Sequence, residues 1–186
     1  KMAISIDDIK KLRAMTGAGL ADVKKALTEA EGDFDKAKEL LRERGLAIAA
    51  KRSDRETSNG CVLVKAVDGF AAMLALKCET DFVANGADFI ALTQSILDAA
   101  IAAKAADLEA VKALDINGQT AQEAVTQRSG ITGEKMELDG YLTLEGDNIE
   151  VYNHMGKNTL CTMVQTNKPA AEQGHLVAMQ VAAMKP

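Results

Sequence analysis

Aromatic residues are scarce in this chain, with four Phe, two Tyr and no Trp among 186 residues. A basic excess is missing too, because 22 Lys and Arg against 27 Asp and Glu leave a net charge of −5. Phosphate binding is driven by Lys/Arg neutralisation and counterion release, so this balance argues against a nucleic-acid surface and for a protein or small-molecule partner. The cysteines Cys61, Cys78 and Cys161 form no Cys-x-x-Cys pair and leave an odd one over. They lack zinc-ligand spacing and suit a reducing compartment, so all are expected as thiols and the cytoplasm as the location. His154 and His175 lie far apart with no acidic or Cys ligand at useful spacing, and no metal site is predicted from them. No apolar run reaches the roughly 18 residues of a membrane span. Lys1 precedes a Met2 that reads as the biological start, and the residues after it lack the basic-then-apolar order of a signal peptide.

What is present is ample apolar material. A composition of 47% hydrophobic and 26% charged residues can bury one good core, or a small domain beside a larger one. The first fifty or so residues read as a three-helix unit, 2–50. Ser5 with Asp8 makes a capping box and Ile4 with Ile9 a hydrophobic staple, which predicts a helix from Ile6 to about Met15. Gly17 and Gly19 interrupt the chain. A second helix carries Leu20, Val23 and Leu27 inward and ends near Gly32. Asp33 caps a third, with Phe34, Ala37, Leu40 and Leu41 inward and Gly45 as its stop. The stretch 51–60 contains no apolar residue and reads as a polar linker.

From Cys61 onward the pattern turns α+β. Cys61–Val67 and Ala71–Cys78 flank Asp68-Gly69, a pair preferred in two-residue hairpin turns. A long helix is expected from the Thr80-Asp81-Phe82-Val83 corner to about Lys104, with an inward stripe of Val83, Ile90, Leu97 and Ile101. Two shorter helical segments follow between Asp107 and Gly130, around Gly118. Strands over Met136–Leu144, Ile149–Asn153 and Leu160–Gln165 should complete an antiparallel sheet, and Pro169 opens a closing helix through Val177 and Val181. The fold class is therefore α+β: a helical bundle followed by an antiparallel sheet with flanking helices.

Familiar catalytic patterns are missing. Gly17-Ala18-Gly19 has Asp22 where a dinucleotide loop needs its third Gly, and it follows a helix rather than a strand. Gly156-Lys157-Asn158-Thr159 lacks the upstream Gly of a phosphate loop and has Asn where Ser or Thr belongs. No Gly-x-Ser-x-Gly elbow occurs.

One stretch stands out. Cys78-Glu79-Thr80-Asp81-Phe82-Val83 puts an acid beside one of the few large aromatics, at a strand-to-helix corner. Two readings compete there. Thr80 or Asp81 is an N-cap and Phe82 heads a buried column with Phe89 and Ile96. Alternatively, Phe82 projects from the helix tip beside the Asp81 carboxylate as a knob that enters a partner.

"LRAMTGAGLADVKKALTEAEGDFDKAKELLRERG" (Leu12–Gly45), "KCETDFVAN" (Lys77–Asn85) and a looser tail from Gly140 through "YNHMGKNTL" to "VAAMKP" closely resemble the bacterial translation elongation factor Ts family. The resemblance covers nearly the whole chain. It implies a guanine-nucleotide exchange factor for elongation factor Tu, without covalent chemistry and without a cofactor or metal of its own. Nucleotide and Mg²⁺ are then held by the partner, and no direct nucleic-acid or membrane contact is expected. It also implies an N-terminal module similar to ubiquitin-associated domains and a core of two related α+β halves, with 61–186 as the first, dimerisation-type half and Pro186 about where that half finishes. Carried over residue by residue, Thr80, Asp81, Phe82 and Val83 form a wedge: Phe82 enters an apolar pocket of the GTPase and Asp81 lies near its Mg²⁺. Ile131, Gly133 and His154 match positions near the same surface. Arg13 and the Gly17, Ala18, Gly19 and Leu20 loop match positions facing the GTPase. Thr132 between Ile131 and Gly133 departs from the family's Ile-Gly pair. The rival to this reading is an adaptor that binds ubiquitin-like proteins through the three-helix module.

Overall fold

The structure is a computed structural model and describes residues 4–186. It is α+β and divides into two compact units. One comprises the described residues up to Arg55 together with Thr126–Lys135, and the other Glu56–Val125 with Met136–Pro186.

The first unit is helical. Helix α1 (Ile6–Thr16) starts at the capping box: Asp8 N donates to Ser5 Oγ and Ser5 N to Asp8 Oδ2, both over 3.0 Å. Ser5 Oγ also donates to Asp8 Oδ2 at 2.6 Å, and this bond, with that from the Ser5 amide, lowers the Asp8 pKa. Helix α2 (Leu20–Glu29) and helix α3 (Phe34–Ala50) follow, the latter capped by Asp33, which accepts from the amides of Asp35 and Lys36. Leu12, Val23, Ala26, Leu27 and Ala37 are buried together, and Ile4, Ile9, Phe34, Leu40 and Leu41 pack around them. Two expectations fail here. Leu20 is 58% exposed rather than inward. Gly45 does not stop α3, which runs on to Ala50 with Gly45 buried inside it. Its backbone lies against Gly130, and it is Gly130 that has no room for a side chain: a Cβ built there would lie 2.6 Å from the Gly45 carbonyl carbon and oxygen.

The second unit is built on a hairpin, β1 (Asn59–Val67) and β2 (Phe70–Cys78), in the register Cys61↔Leu76 and Leu63↔Leu74. Asp68 and Gly69 both have positive φ, 47° and 75°, as the tight hairpin turn demands. The β1 strand begins before Cys61, at Asn59, and Thr57 is already buried.

After β2 the corner forms a single turn, α4 (Asp81–Ala84), and then helix α5 (Ala87–Ala103). The expected continuous helix is therefore broken at Asn85-Gly86, where Gly86 is extended (ψ 134°) and caps α5. Helix α5 lies on β1 and β2. It buries Phe89, Ile96, Leu97, Ala100 and Ile101 against Phe70, Leu74, Leu76 and Cys78. Helices α6 (Leu108–Lys112) and α7 (Ala121–Thr132) flank Gly118 as expected.

Strand β3 (Met136–Glu145) pairs with β2, with a bulge at Asp139 where Ala75↔Gly140 gives way to Leu76↔Leu138. The returning strands do not extend this sheet. Strands β4 (Ile149–Asn153) and β5 (Cys161–Gln165) pair in a separate two-stranded sheet. It is tied to β1 by the Val62 amide donating to the Asn158 carbonyl over 2.7 Å. Helix α8 (Ala171–Met184) covers β4 and β5 with its small residues Gly174, Ala178 and Ala182, while Val177 remains 44% exposed. The small stripe lets Thr162 Oγ1 reach the Ala178 carbonyl at 2.9 Å.

All three cysteines are buried thiols. Burial pushes Cys61 and Cys161 up from 9.0 to about 11, with Thr93 offsetting part of the rise at Cys61 and the nearby Cys61 adding to it at Cys161. A folded pKa above the unfolded one favours the protonated form. This contribution to stability is therefore complete below about pH 9 and disappears as the pH climbs through about 11. The melting temperature should fall across that window, with a shallower slope for Cys61→Ala and Cys161→Ala. Three thiols per chain should titrate after denaturation without reductant, and one would reveal a disulfide.

Candidate functional site

The corner at residues 78–86 is held by its own backbone and by the hairpin below it. Cys78, the last residue of β2, directs its thiol to the Thr80 carbonyl at 3.2 Å, and Asn59 Nδ2 donates to the Glu79 carbonyl at 2.8 Å. Thr80 is the N-cap: its hydroxyl accepts from the Val83 amide at 3.3 Å. Asn85 closes the turn, both its backbone amide (2.9 Å) and its side-chain amide (2.8 Å) donating to the Asp81 carbonyl. Ala84 is buried and Val83 packs against the core, which pins one side of the turn.

Asp81 and Phe82 lie on the other side, exposed. Phe82 is 87% exposed, while Phe89 is 1% and Ile96 0%. The buried column thus begins at Phe89. In an unbroken helix residues seven apart share a face; the Asn85-Gly86 break removes Phe82 from that phase. A large aromatic held on a capped, anchored turn has given up apolar burial on folding, and an exposed apolar side chain set in a rigid frame suits insertion into a partner.

In the helical unit, Gly17 ends α1 in the left-handed conformation, φ 68°, where its amide donates to the Arg13 carbonyl at 2.8 Å. Ala18 is buried, Gly19 is the extended N-cap of α2, and Arg13 and Leu20 are exposed. Ile131 is brought to this loop: its Cδ1 lies 3.9 Å from the Cβ position of Gly17. A groove of about 630 Å³ runs here, with Met15, Ala18, Gly19, Ile48, Gly130 and Ile131 among its walls. Gly133, φ 78°, follows α7 next to the Arg52 guanidinium. The resemblance grouped Ile131 with the wedge and His154 and set the Gly17–Leu20 loop apart from them; within this unit residues 17 and 131 are neighbours.

His154 begins a short 3₁₀ turn, His154–Gly156, after β4 in the second unit. Its Nδ1 is 3.1 Å from the Tyr152 hydroxyl. Tyr152 went unremarked in the sequence, although its i, i+2 relation to His154 at a strand end would have put both side chains on one face. Met155, 69% exposed with φ 54°, stands beside it at the turn.

Among the described residues no three His, Cys, Asp or Glu side chains converge as metal ligands, and no helix is long and apolar enough to cross a membrane.

Residues 79–186 match the protein family described as Elongation factor TS. The chain is 64% identical over 186 residues to Elongation factor Ts of Bacteroides fragilis, covering 100% of this chain and 56% of that protein. It is 62% identical over 185 residues to the Elongation factor Ts of Parabacteroides distasonis, again covering 56% of the relative. For the Elongation factor Ts of Porphyromonas gingivalis the figures are 51% over 187 residues and 68% of the relative. The chain thus spans little more than half the length of the first two. A match over more than half of the chain, together with half-identical relatives that it covers to two thirds, shows that this chain belongs to the elongation factor Ts family.

Proposed function

We propose that the chain binds elongation factor Tu and promotes GDP release, acting as a guanine-nucleotide exchange factor in which the 80–83 turn is the wedge. The observation that carries this reading is Phe82, 87% exposed on a capped turn beside the exposed Asp81, in a member of this family. A GTPase holds its nucleotide through a phosphate-cradling loop and a bridging Mg²⁺. A partner that binds the nucleotide-free form better weakens nucleotide affinity by the same factor by which nucleotide weakens the partner's. Phe82 supplies apolar contact area in a GTPase pocket, and Asp81 brings a negative charge toward the Mg²⁺ site. Arg13, the Gly17–Leu20 loop and Ile131 form a second contact surface on the helical unit, with Gly133 following it in the chain, and His154 a third. No covalent bond is made or broken by this chain, and nucleotide and Mg²⁺ stay with the partner.

Release of a fluorescent GDP from elongation factor Tu, with and without the chain, tests the reading directly; unchanged release overturns it. The Asp81→Ala variant refines it. Asp81 is not the cap, so its removal should move stability by less than about 0.5 kcal/mol. Release should slow about tenfold at millimolar Mg²⁺, the scale of one hydrogen-bonded charge. The defect should shrink when Mg²⁺ is lowered, because the charge then has less to displace. A defect independent of Mg²⁺ would place Asp81's role elsewhere.

A further inference from the structure

Tyr152 gathers both histidines of the chain around one ring. Its hydroxyl is 3.1 Å from His154 Nδ1, and the two rings meet edge-on with centroids 5.8 Å apart. His175, carried by α8, meets the same ring edge-on at 5.6 Å and 86°.

The backbone around His154 is clamped independently. Its amide donates to the Leu160 carbonyl at 2.9 Å and its carbonyl accepts from the Lys157 amide at 3.2 Å. Asn153 and Asn158 clasp the turn: Asn153 Nδ2 donates to Asn158 Oδ1 over 2.6 Å, and the Asn158 amide to Asn153 Oδ1 over 3.1 Å. With the main chain held, what remains free is the rotation of the imidazole and the position of its proton.

We propose that Tyr152 is the positioning residue for His154: it accepts no proton from the ring but donates to Nδ1, so that His154 presents Nε2–H as a hydrogen-bond donor to an acceptor on the bound GTPase. This rests on the exchange-factor reading above. A phenolic hydroxyl is a good donor, and a neutral imidazole has one nitrogen able to accept; the bond made by one ring nitrogen settles which nitrogen keeps the proton. The edge-on packing of His175 limits the swing of the Tyr152 ring and so keeps its hydroxyl at Nδ1. The stretch 152–160 that carries the resemblance contains both residues, but the resemblance gives a role to His154 alone.

Tyr152→Phe keeps the ring and its packing and removes only the hydroxyl. Three measurements decide the proposal. In the wild type the imidazole ¹⁵N shifts of His154 should show an unprotonated, hydrogen-bonded Nδ1, and in Tyr152→Phe that hydrogen-bond shift should disappear; a proton on Nδ1 in the wild type overturns the proposal. GDP release from elongation factor Tu at limiting chain concentration should slow roughly three- to tenfold in Tyr152→Phe, the scale of one net hydrogen bond, with the melting temperature preserved. In a His154→Ala background the same substitution should cost nothing further, since the residue it orients is gone; multiplied losses would mean that Tyr152 acts on its own account and overturn the positioning role. A wild-type chain without effect on GDP release would bring down the exchange reading and this proposal together, whereas an active wild type with an unaffected Tyr152→Phe brings down this proposal alone.

Discussion

Phe82→Ala is expected to leave the melting temperature within about 2 °C of the wild type while slowing the catalysed release of GDP about ten- to hundredfold. The first half follows from exposure. A buried Phe truncated to Ala costs roughly 3 to 5 kcal/mol, whereas substitutions at exposed positions stay within about 0.5 kcal/mol, and Phe82 is 87% exposed. For a chain of this size half a kilocalorie corresponds to about 1–2 °C. The second half follows from the partner. Burying a Phe side chain in an apolar pocket is worth about 1.5–3 kcal/mol, which is a factor of roughly ten to a hundred or more in an equilibrium constant. Phe82→Leu should restore part of the effect, since it retains apolar area without the ring. The two assays separate the possibilities cleanly. Early melting with normal exchange would put Phe82 in the core; late melting with normal exchange would leave it exposed but idle, and the wedge would be wrong.

Gly130→Ala and Gly45→Ala should differ in sign although both replace a helical glycine at the same crossing. A Cβ on Gly45 would sit 3.7 Å from the Gly130 Cα, an ordinary van der Waals contact. Ala at mid-helix position 45 also gains up to about 1 kcal/mol in helix propensity, so Gly45→Ala should be neutral or slightly stabilising. A Cβ on Gly130 points the other way, into the Gly45 backbone, with the carbonyl carbon and oxygen 2.6 Å away. Backbone cannot rotate aside as a long side chain can. Overpacking of this kind costs typically about 1–3 kcal/mol and occasionally more, enough to outweigh the propensity gain. The crossing also forms part of the groove wall with Ile131, Met15 and Ile48. Gly130→Ala should therefore lower the melting temperature by several degrees and disturb the 126–135 segment selectively, visible as faster amide exchange there. Equal melting of the two variants would overturn the close backbone approach at this crossing.

Much of the local structure was legible from residue chemistry alone. The capping box at Ser5 and Asp8, the Asp33 cap, the Asp68-Gly69 turn and the Thr80 cap are all short-range hydrogen-bond or dihedral requirements. They are met within a few residues, so a linear reading finds them. The strand segments flanking Asp68-Gly69 placed the hairpin, and the acid and aromatic just after its second strand singled out the corner.

What the linear pattern could not decide lies at longer range. Phe82, Phe89 and Ile96 keep helical spacing whether or not the helix is continuous. Only the extended Gly86 turns Phe82 outward, and a glycine is compatible with either conformation. Gly45 likewise reads as a stop although α3 continues through it, and the glycine that its backbone forbids a side chain is Gly130, far along the chain. Strands β4 and β5 alternate as well as β3 does, yet they pair with each other apart from the larger sheet. Period tells which face is buried but not which strand is the neighbour. Tyr152 became the partner of His154 by the same logic: the proximity of two side chains at a strand end is implicit in the sequence, but the distance between hydroxyl and Nδ1, on which the chemistry depends, is set by the packing of β4 and α8.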